Sequence, residues 1–341
     1  MSVPLETIVI NGSHGEGGGA LVRTAVAMSC VTQQPLQVYS VRGGLRKQGL
    51  TAEDITLIEA LADSTRAEVE GAGLGATEFV FLPKTLPQPV NGMYDVSVQD
   101  KGKVPGNALV LLGSIAPVLT RAGAYSEVAV RAETHNERTV CFDAFERVTV
   151  PAMRRFGLYL FPQLVDAGFG YAAKGEVVLE IEPSALKAAD FSSRGDLVAA
   201  GAVVSTGDMP ERVGVTAASA LEEMANRHGL SLEIDVLDHS SKSKGVTVTV
   251  WAEFERGFGS GTAALARDQI VDETANLAFL RFMEWFDTDA TVDAHVADQL
   301  LLVAAQAEGR TEMTTPMLTK KARHNGLGHQ AVHAHRNHRA W

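Results

Sequence analysis

Gly15-Glu16-Gly17-Gly18-Gly19-Ala20-Leu21-Val22-Arg23-Thr24-Ala25 is the stretch from which the fold is read. The apolar run Ile8-Val9-Ile10 precedes it, so the order is strand, an Asn11-Gly12 turn, a glycine loop, then an amphipathic helix. Glycines tolerate positive φ and let a backbone approach a ligand closely. A helix amino terminus presents unpaired N–H groups and a partial positive charge, both suited to phosphate. Arg23 adds a planar donor fork one turn into the helix. No Gly-Lys-Ser/Thr follows, and the pattern is not Gly-x-Gly-x-x-Gly, so neither common phosphate loop is present. Taken alone, the loop serves either an anion site or a tight strand–helix connection.

Strand and helix patterns alternate outward from this point. Residues 36–41 alternate as a strand, and 52–62 carry Ile55, Leu57, Ile58 and Leu61 at helical spacing. Residues 78–82 and 94–98 read as strands, 107–119 as an apolar helix, 126–132 as a strand and 143–155 as a helix, after which the scheme repeats. Repetition of this kind predicts stacked α/β units. From Pro183 the texture shifts. Strands at 198–205, 232–237 and 245–254 and helices at 210–228 and 267–285 make a compact unit of their own. A helix over 292–307 returns to the first core. The expected architecture is a discontinuous large domain (1–183 and 290–323), an inserted small domain (184–289) and a flexible tail (324–341).

Composition narrows the function. At 341 residues the chain can bury a large core, and 45% hydrophobic with 21% charged residues is the balance of a water-soluble globular protein. No apolar run suits a bilayer, and the first residues lack the basic and apolar regions of a signal peptide. Cys30 and Cys141 sit in apolar contexts, as buried free thiols of a cytoplasmic protein do. A net charge of −11 argues against coating long nucleic acid, though not against gripping one phosphate end. Only the carboxyl tail is basic. Its histidines 324, 329, 333, 335 and 338 lack accompanying carboxylates or cysteines, so it reads as solvated rather than metal-binding. His14, His135, Glu133 and Glu137 receive no role.

A second stretch carries polar chemistry on an apolar helix: Val292-Asp293-Ala294-His295-Val296-Ala297-Asp298-Gln299-Leu300. His295 and Gln299 are four apart and share a face, which reads as a solvent-facing stripe or as the lining of a site. Together with Gly-Glu-Gly-Gly-Gly and Leu-Val-Arg-Thr-Ala, the run His-Val-Ala-Asp-Gln-Leu resembles the RNA 3′-terminal phosphate cyclase family. Val41-Arg42 with Lys47-Gln48-Gly49-Leu50, the segments 71–79 and 148–157, Gly168-Phe169, Gly175-Glu176-Val177 and Val250-Trp251-Ala252-Glu253 extend the resemblance along nearly the whole chain.

The resemblance implies an α/β protein whose large domain of repeated units is similar to enolpyruvyl transferases, with a small inserted α/β domain. It implies use of ATP and Mg2+, adenylation of a histidine, transfer of the adenylyl group to an RNA 3′-phosphate, and attack by the neighbouring 2′-hydroxyl to give a cyclic phosphate. By position, Glu16, Arg23 and Arg42 fall around the nucleotide and phosphate, with Glu16 also a metal ligand, and His295, Asp298 and Gln299 line the nucleotide pocket. The implied partner is an RNA 3′-phosphate end or a small phosphorylated nucleotide, with no membrane and a homodimer left open.

The chain departs from the family pattern at defined places. Lys321 falls where the family has its nucleophilic histidine; a one-residue slip makes it Lys320, and a longer loop makes it His324. Glu53-Asp54 replaces a Gln-His pair, residues 103–107 rewrite a Gly-Thr-Ala-Gly-Ser loop, Gly113 stands for a glutamine, and Arg131-Ala132-Glu133-Thr134 for Arg-Gly-Gly-Thr. Three readings follow. The chain is a cyclase with a lysine nucleophile, a transferase for a small phosphorylated metabolite, or a non-catalytic RNA-end or nucleotide-binding protein.

Overall fold

The computed structural model describes residues 6–15, 17–103, 106–265 and 270–317. Glu16, Lys320, Lys321, His324 and the rest of the basic tail lie outside the described residues.

The first unit runs β1 (Ile8–Asn11), α1 (Gly19–Thr32), β2 (Leu36–Tyr39), α2 (Ala52–Thr65), β3 (Glu68–Glu70) and β4 (Phe79–Leu82). Its sheet has the order β1-β2-β4-β3, with β1 and β2 parallel and the other pairs antiparallel. The second unit runs β5 (Asn91–Asp95), α3 (Val96–Gln99), α4 (Ala108–Leu119), β6 (Ser126–Ala132), α5 (Phe142–Ala144), a π-helical segment (Phe145–Thr149), α6 (Val150–Arg154), β7 (Leu160–Asp166) and β8 (Gly175–Ile181). Its sheet order, β5-β6-β8-β7, repeats the first with the same parallel and antiparallel pairs. The repeat predicted from pattern is therefore present as topology, without residue-level similarity to announce it.

Local chemistry sets the boundaries. Thr51 and Asp54 form a reciprocal capping box that starts α2, and Asn107 caps α4 by accepting from the N–H groups of Leu109 and Val110. Helix α4 is apolar around its whole circumference and almost entirely buried, as expected of a helix covered on all sides. One expectation fails at residues 94–98. The strand ends at Asp95, whose carboxylate accepts from the N–H of Ser97 and turns the chain into the short α3.

After β9 (Asp190–Phe191) come β10 (Leu197–Gly207), α7 (Glu211–Arg227), β11 (Glu233–His239), β12 (Gly245–Phe254), β13 (Gly257–Ala264) and α8 (Val271–Phe286). These strands form a third sheet, β11-β10-β12-β13, and a second hydrophobic core lies between it and the two helices, from Ala202 to Ala290. Strand β13 was not expected, because Gly-Phe-Gly-Ser-Gly-Thr-Ala-Ala has little strand propensity. Its glycines serve packing: a Cβ at Gly261 would stand 2.1 Å from the backbone nitrogen of Phe282, and one at Gly259 would enter the Trp285 ring. Helix α9 (Ala294–Gln306) then returns to the first core through Val296, Leu300 and Val303, and β14 (Glu312–Met313) pairs with β9.

Candidate active site

Two neighbouring regions hold the residues singled out in the sequence. The first is a corner at the amino terminus of α1. Gly15 and Gly17 have φ of 65° and 58°, the left-handed backbone that favours glycine. The α1 N-cap, Gly18, supplies no side-chain acceptor, so the first N–H groups of this helix are not capped by their own N-cap residue. A Cβ on Gly19 would lie 2.8 Å from both an Arg23 and an Arg42 guanidinium nitrogen. The glycine thus lets the two arginines converge across the helix start.

Neither arginine stands without a counter-ion. Arg23 Nη1 donates to Glu53 Oε1 at 2.8 Å, and Arg42 Nη1 donates to Asp54 Oδ2 and to the carbonyl of Gly49. Asp54 is fully buried, and its second oxygen has no hydrogen-bond partner in the protein. Arg42 has a φ of 53°, a strained backbone for a non-glycine residue that the Asp54 and Gly49 contacts hold in place. The two acidic residues that depart from the family pattern are thus the ones that balance the two arginines. In the sequence Glu53 and Asp54 stand only as a departure from the family's Gln-His pair, because the arginines they balance lie 30 and 12 residues away.

The second region is a cleft of about 330 Å³ between the two cores. Its walls include Val140, Trp285, Val296 and Met317, and its polar groups include Thr139, Ser260, Thr262, His295 and Gln299. Asp293 caps α9, accepting from the N–H groups of His295 and Val296 with one oxygen and from that of Ser260 with the other. This bond set ties the start of α9 to β13. His295 is exposed at the cleft and Gln299 half-buried in it, while Asp298 is not among the lining residues. A Cβ on Gly113 would meet Gln299 Oε1 at 2.7 Å. The missing side chain at 113 therefore makes the seat for Gln299 against α4. Arg281, which the sequence did not single out, donates to Glu137 at 2.8 Å and to the carbonyl of Thr262, closing one side of the cleft.

Asn107 joins corner and cleft. Its backbone N–H donates to Glu53 Oε2 at 2.9 Å, and its side-chain amide donates to Thr139 Oγ1 and the Val140 carbonyl, both at 2.9 Å. Along α4, the step from Asn107 to Gly113 rises only about 9 Å. Asn107 thus links the Glu53 side of the corner to the Thr139–Val140 wall of the cleft. His14, beside the glycine loop, is exposed. Glu133 is a buried structural acid, accepting from Ala172 N–H and Asn136 Nδ2, and burial pushes its carboxyl above the usual range.

Comparison with known proteins identifies the family. The sequence profile of RNA 3′-terminal phosphate cyclases matches residues 14–329. The chain is 30% identical over 318 residues to the RNA 3′-terminal phosphate cyclase of Archaeoglobus fulgidus, covering 93% of each chain. It is 29% identical to that of Trichormus variabilis, covering 92% of each. It is 30% identical to that of Koribacter versatilis, over 94% of this chain and 88% of the relative. The match runs nearly the whole length of the chain, and the chain belongs to the RNA 3′-terminal phosphate cyclase family.

Proposed function

We propose that this protein converts an RNA 3′-terminal phosphate to a 2′,3′-cyclic phosphate at the expense of ATP, which leaves as AMP and pyrophosphate. The observation that carries the reading is the Asn107 joint. A nucleotide whose base occupies the cleft has its phosphates directed toward the α1 corner. A neutral base suits apolar walls rimmed by hydroxyls and an amide. Phosphoryl oxygens suit a helix start flanked by two guanidiniums.

In the first step, a protein nucleophile attacks the α-phosphorus of ATP and pyrophosphate departs. We assign the nucleophile to the Nζ of Lys321, which requires its neutral form. Met317 on the cleft wall precedes Lys321 by four residues, a tether of at most about 14 Å. The RNA 3′-phosphate then displaces the lysine and takes the adenylyl group. Finally the 2′-hydroxyl attacks the 3′-phosphorus, releasing AMP. Arg23 and Arg42 stabilise charge on the phosphoryl oxygens in each step. Mg2+ is carried with the ATP phosphates. Glu16, which the family resemblance puts beside the phosphates, would hold that ion, whose charge would offset that of the phosphoryl oxygens.

The test is incubation of the protein with α-labelled ATP and magnesium, followed by denaturation. Label that survives base, is lost in acid, and is absent in Lys321→Ala supports the lysine adenylate. Label unaffected by Lys321→Ala but abolished by Lys320→Ala or His324→Ala moves the nucleophile. Absence of both label and cyclic product from a 3′-phosphorylated oligonucleotide overturns the cyclase reading.

A further inference from the structure

A separate polar cluster is buried where the second unit meets the third sheet. His135 follows β6, Asp143 lies in α5, and Ser205 and His239 lie on the adjacent strands β10 and β11. One ligand-type atom from each of His135, Asp143 and His239 falls within 4.8 Å of the others. His135 and Asp143 are almost completely buried and His239 is half-buried.

The Nε2 atom of His135 has no hydrogen-bond partner, although the residue has no exposed surface. It faces Asp143 Oδ1 at 3.9 Å, too far for a hydrogen bond. No tautomer relieves this. With the proton on Nε2, a buried N–H goes unpaired. With the proton on Nδ1, a lone pair faces a carboxylate oxygen 3.9 Å away. Either arrangement is unfavourable.

A cation in the gap removes the conflict. Two ligands each about 2.1 Å from one ion stand roughly 3.4 Å apart at the tetrahedral angle and about 4.2 Å apart across a straight line. The observed 3.9 Å lies between these limits. The second shell is also in place. His135 Nδ1 lies 2.8 Å from Thr134 Oγ1, which accepts from the N–H of Gly168. That is the bond on the far ring nitrogen that orients metal-binding histidines. Phe169 stacks on the His135 ring at 4.6 Å, and Gly207 and Gly245 make room for it, since a Cβ on either would enter the Phe169 side chain. Ser205 Oγ lies 3.0 Å from both Asp143 Oδ2 and His239 Nε2, which holds the carboxylate and the second imidazole beside each other.

We propose that His135, Asp143 and His239 bind one divalent transition ion of the zinc class, clamping the third sheet to the second unit. Two imidazoles and one carboxylate favour such an ion over Mg2+, which prefers all-oxygen shells.

Five further histidines lie in the carboxyl tail, so the parent for the test is the full chain with His324, His329, His333, His335 and His338 changed to alanine, which makes any retained ion attributable to the cluster. Dialysed against Zn2+ after chelation, this parent is expected to retain one ion per chain and to gain several degrees in Tm. Co2+ should give the visible absorption of a low-symmetry nitrogen and oxygen site. His239→Ala in the same background should reduce the stoichiometry from one to zero and abolish the Tm rise. If that variant is unfolded without metal, His239→Gln, which keeps a polar group beside Ser205, is read in its place. A parent that binds no Zn2+, or a folded His239 variant that binds as much as its parent, overturns the proposal.

Discussion

The corner at α1 and the cleft along α9 adjoin through one asparagine, yet their charges are arranged differently. The corner holds two guanidiniums and two carboxylates, so its formal charges cancel before any ligand arrives. The cleft combines hydroxyls, an imidazole, an amide and apolar walls with the Arg281–Glu137 ion pair and two further acids on its lining, Glu284 and Asp293, the latter held as the cap of α9. A phosphate entering the corner must therefore compete with Glu53 or Asp54 for an arginine, whereas a base entering the cleft displaces mainly water. The two carboxylates differ as well. Asp54 is wholly buried and also caps α2, while Glu53 is partly exposed and bridges Arg23 to the start of α4. The Asp54 pair is thus built into the fold, and the Glu53 pair is the one a ligand can exchange.

The largest expected effect follows from the buried pair. Arg42→Met leaves Asp54 charged and without its cation, and removal of one partner of such a pair costs about 3–5 kcal/mol. The loss should appear as a lowered urea midpoint at unchanged slope, with Arg42→Met/Asp54→Asn recovering most of it. A single variant as stable as the parent would erase the distinction between the two carboxylates.

Next is Arg23, assigned to transition-state charge rather than to folding. Arg23→Gln should lower kcat/KM for a 3′-phosphorylated oligonucleotide about a hundredfold, or roughly 2.7 kcal/mol. Its stability should change little, because Glu53 can turn to water and still accept from Asn107. Unchanged kcat/KM would remove Arg23 from the phosphate site. Glu53→Gln acts in the opposite direction. It frees Arg23 while keeping an acceptor for Asn107, so affinity for the phosphorylated end should rise about tenfold, about 1.4 kcal/mol. Because the corner then carries an extra positive charge, binding should also depend more steeply on salt. A weaker or salt-independent complex would mean that Glu53 does not compete with the ligand.

Much of this was legible in the sequence, and what was not has a physical cause. The glycine loop announced itself because positive φ and close approach demand glycine locally, and α4 and α9 because their apolar periodicity is strong. The partners of Arg23 and Arg42 were hidden because α2 brings them in from another part of the chain, and acids in a first helical turn have an adequate local explanation. Strand β13 was hidden because its composition answers to the surface of α8 rather than to strand propensity. Gly113 looked like a loss relative to the family, and only its distance from Gln299 shows what the lost side chain admits. The His135–Asp143–His239 cluster joins residues up to 104 apart, within no sequence window that pattern reading inspects.

The smallest effect tests the cleft through that glycine. Gly113 lies inside α4 with no need for positive φ, so alanine gains up to about 1 kcal/mol of helix propensity. Its Cβ meets only the end of the Gln299 side chain, at 2.7 Å, and the next contact is 3.7 Å away. A flexible amide can swing aside, so Gly113→Ala should fold at least as stably as the parent. The displaced amide should raise the KM for ATP by a factor of about 3, about 0.6 kcal/mol, with the affinity for a 3′-phosphorylated oligonucleotide unchanged. If the oligonucleotide weakens and ATP does not, the assignments are reversed: the RNA end occupies the cleft, and the nucleotide phosphates never reach it.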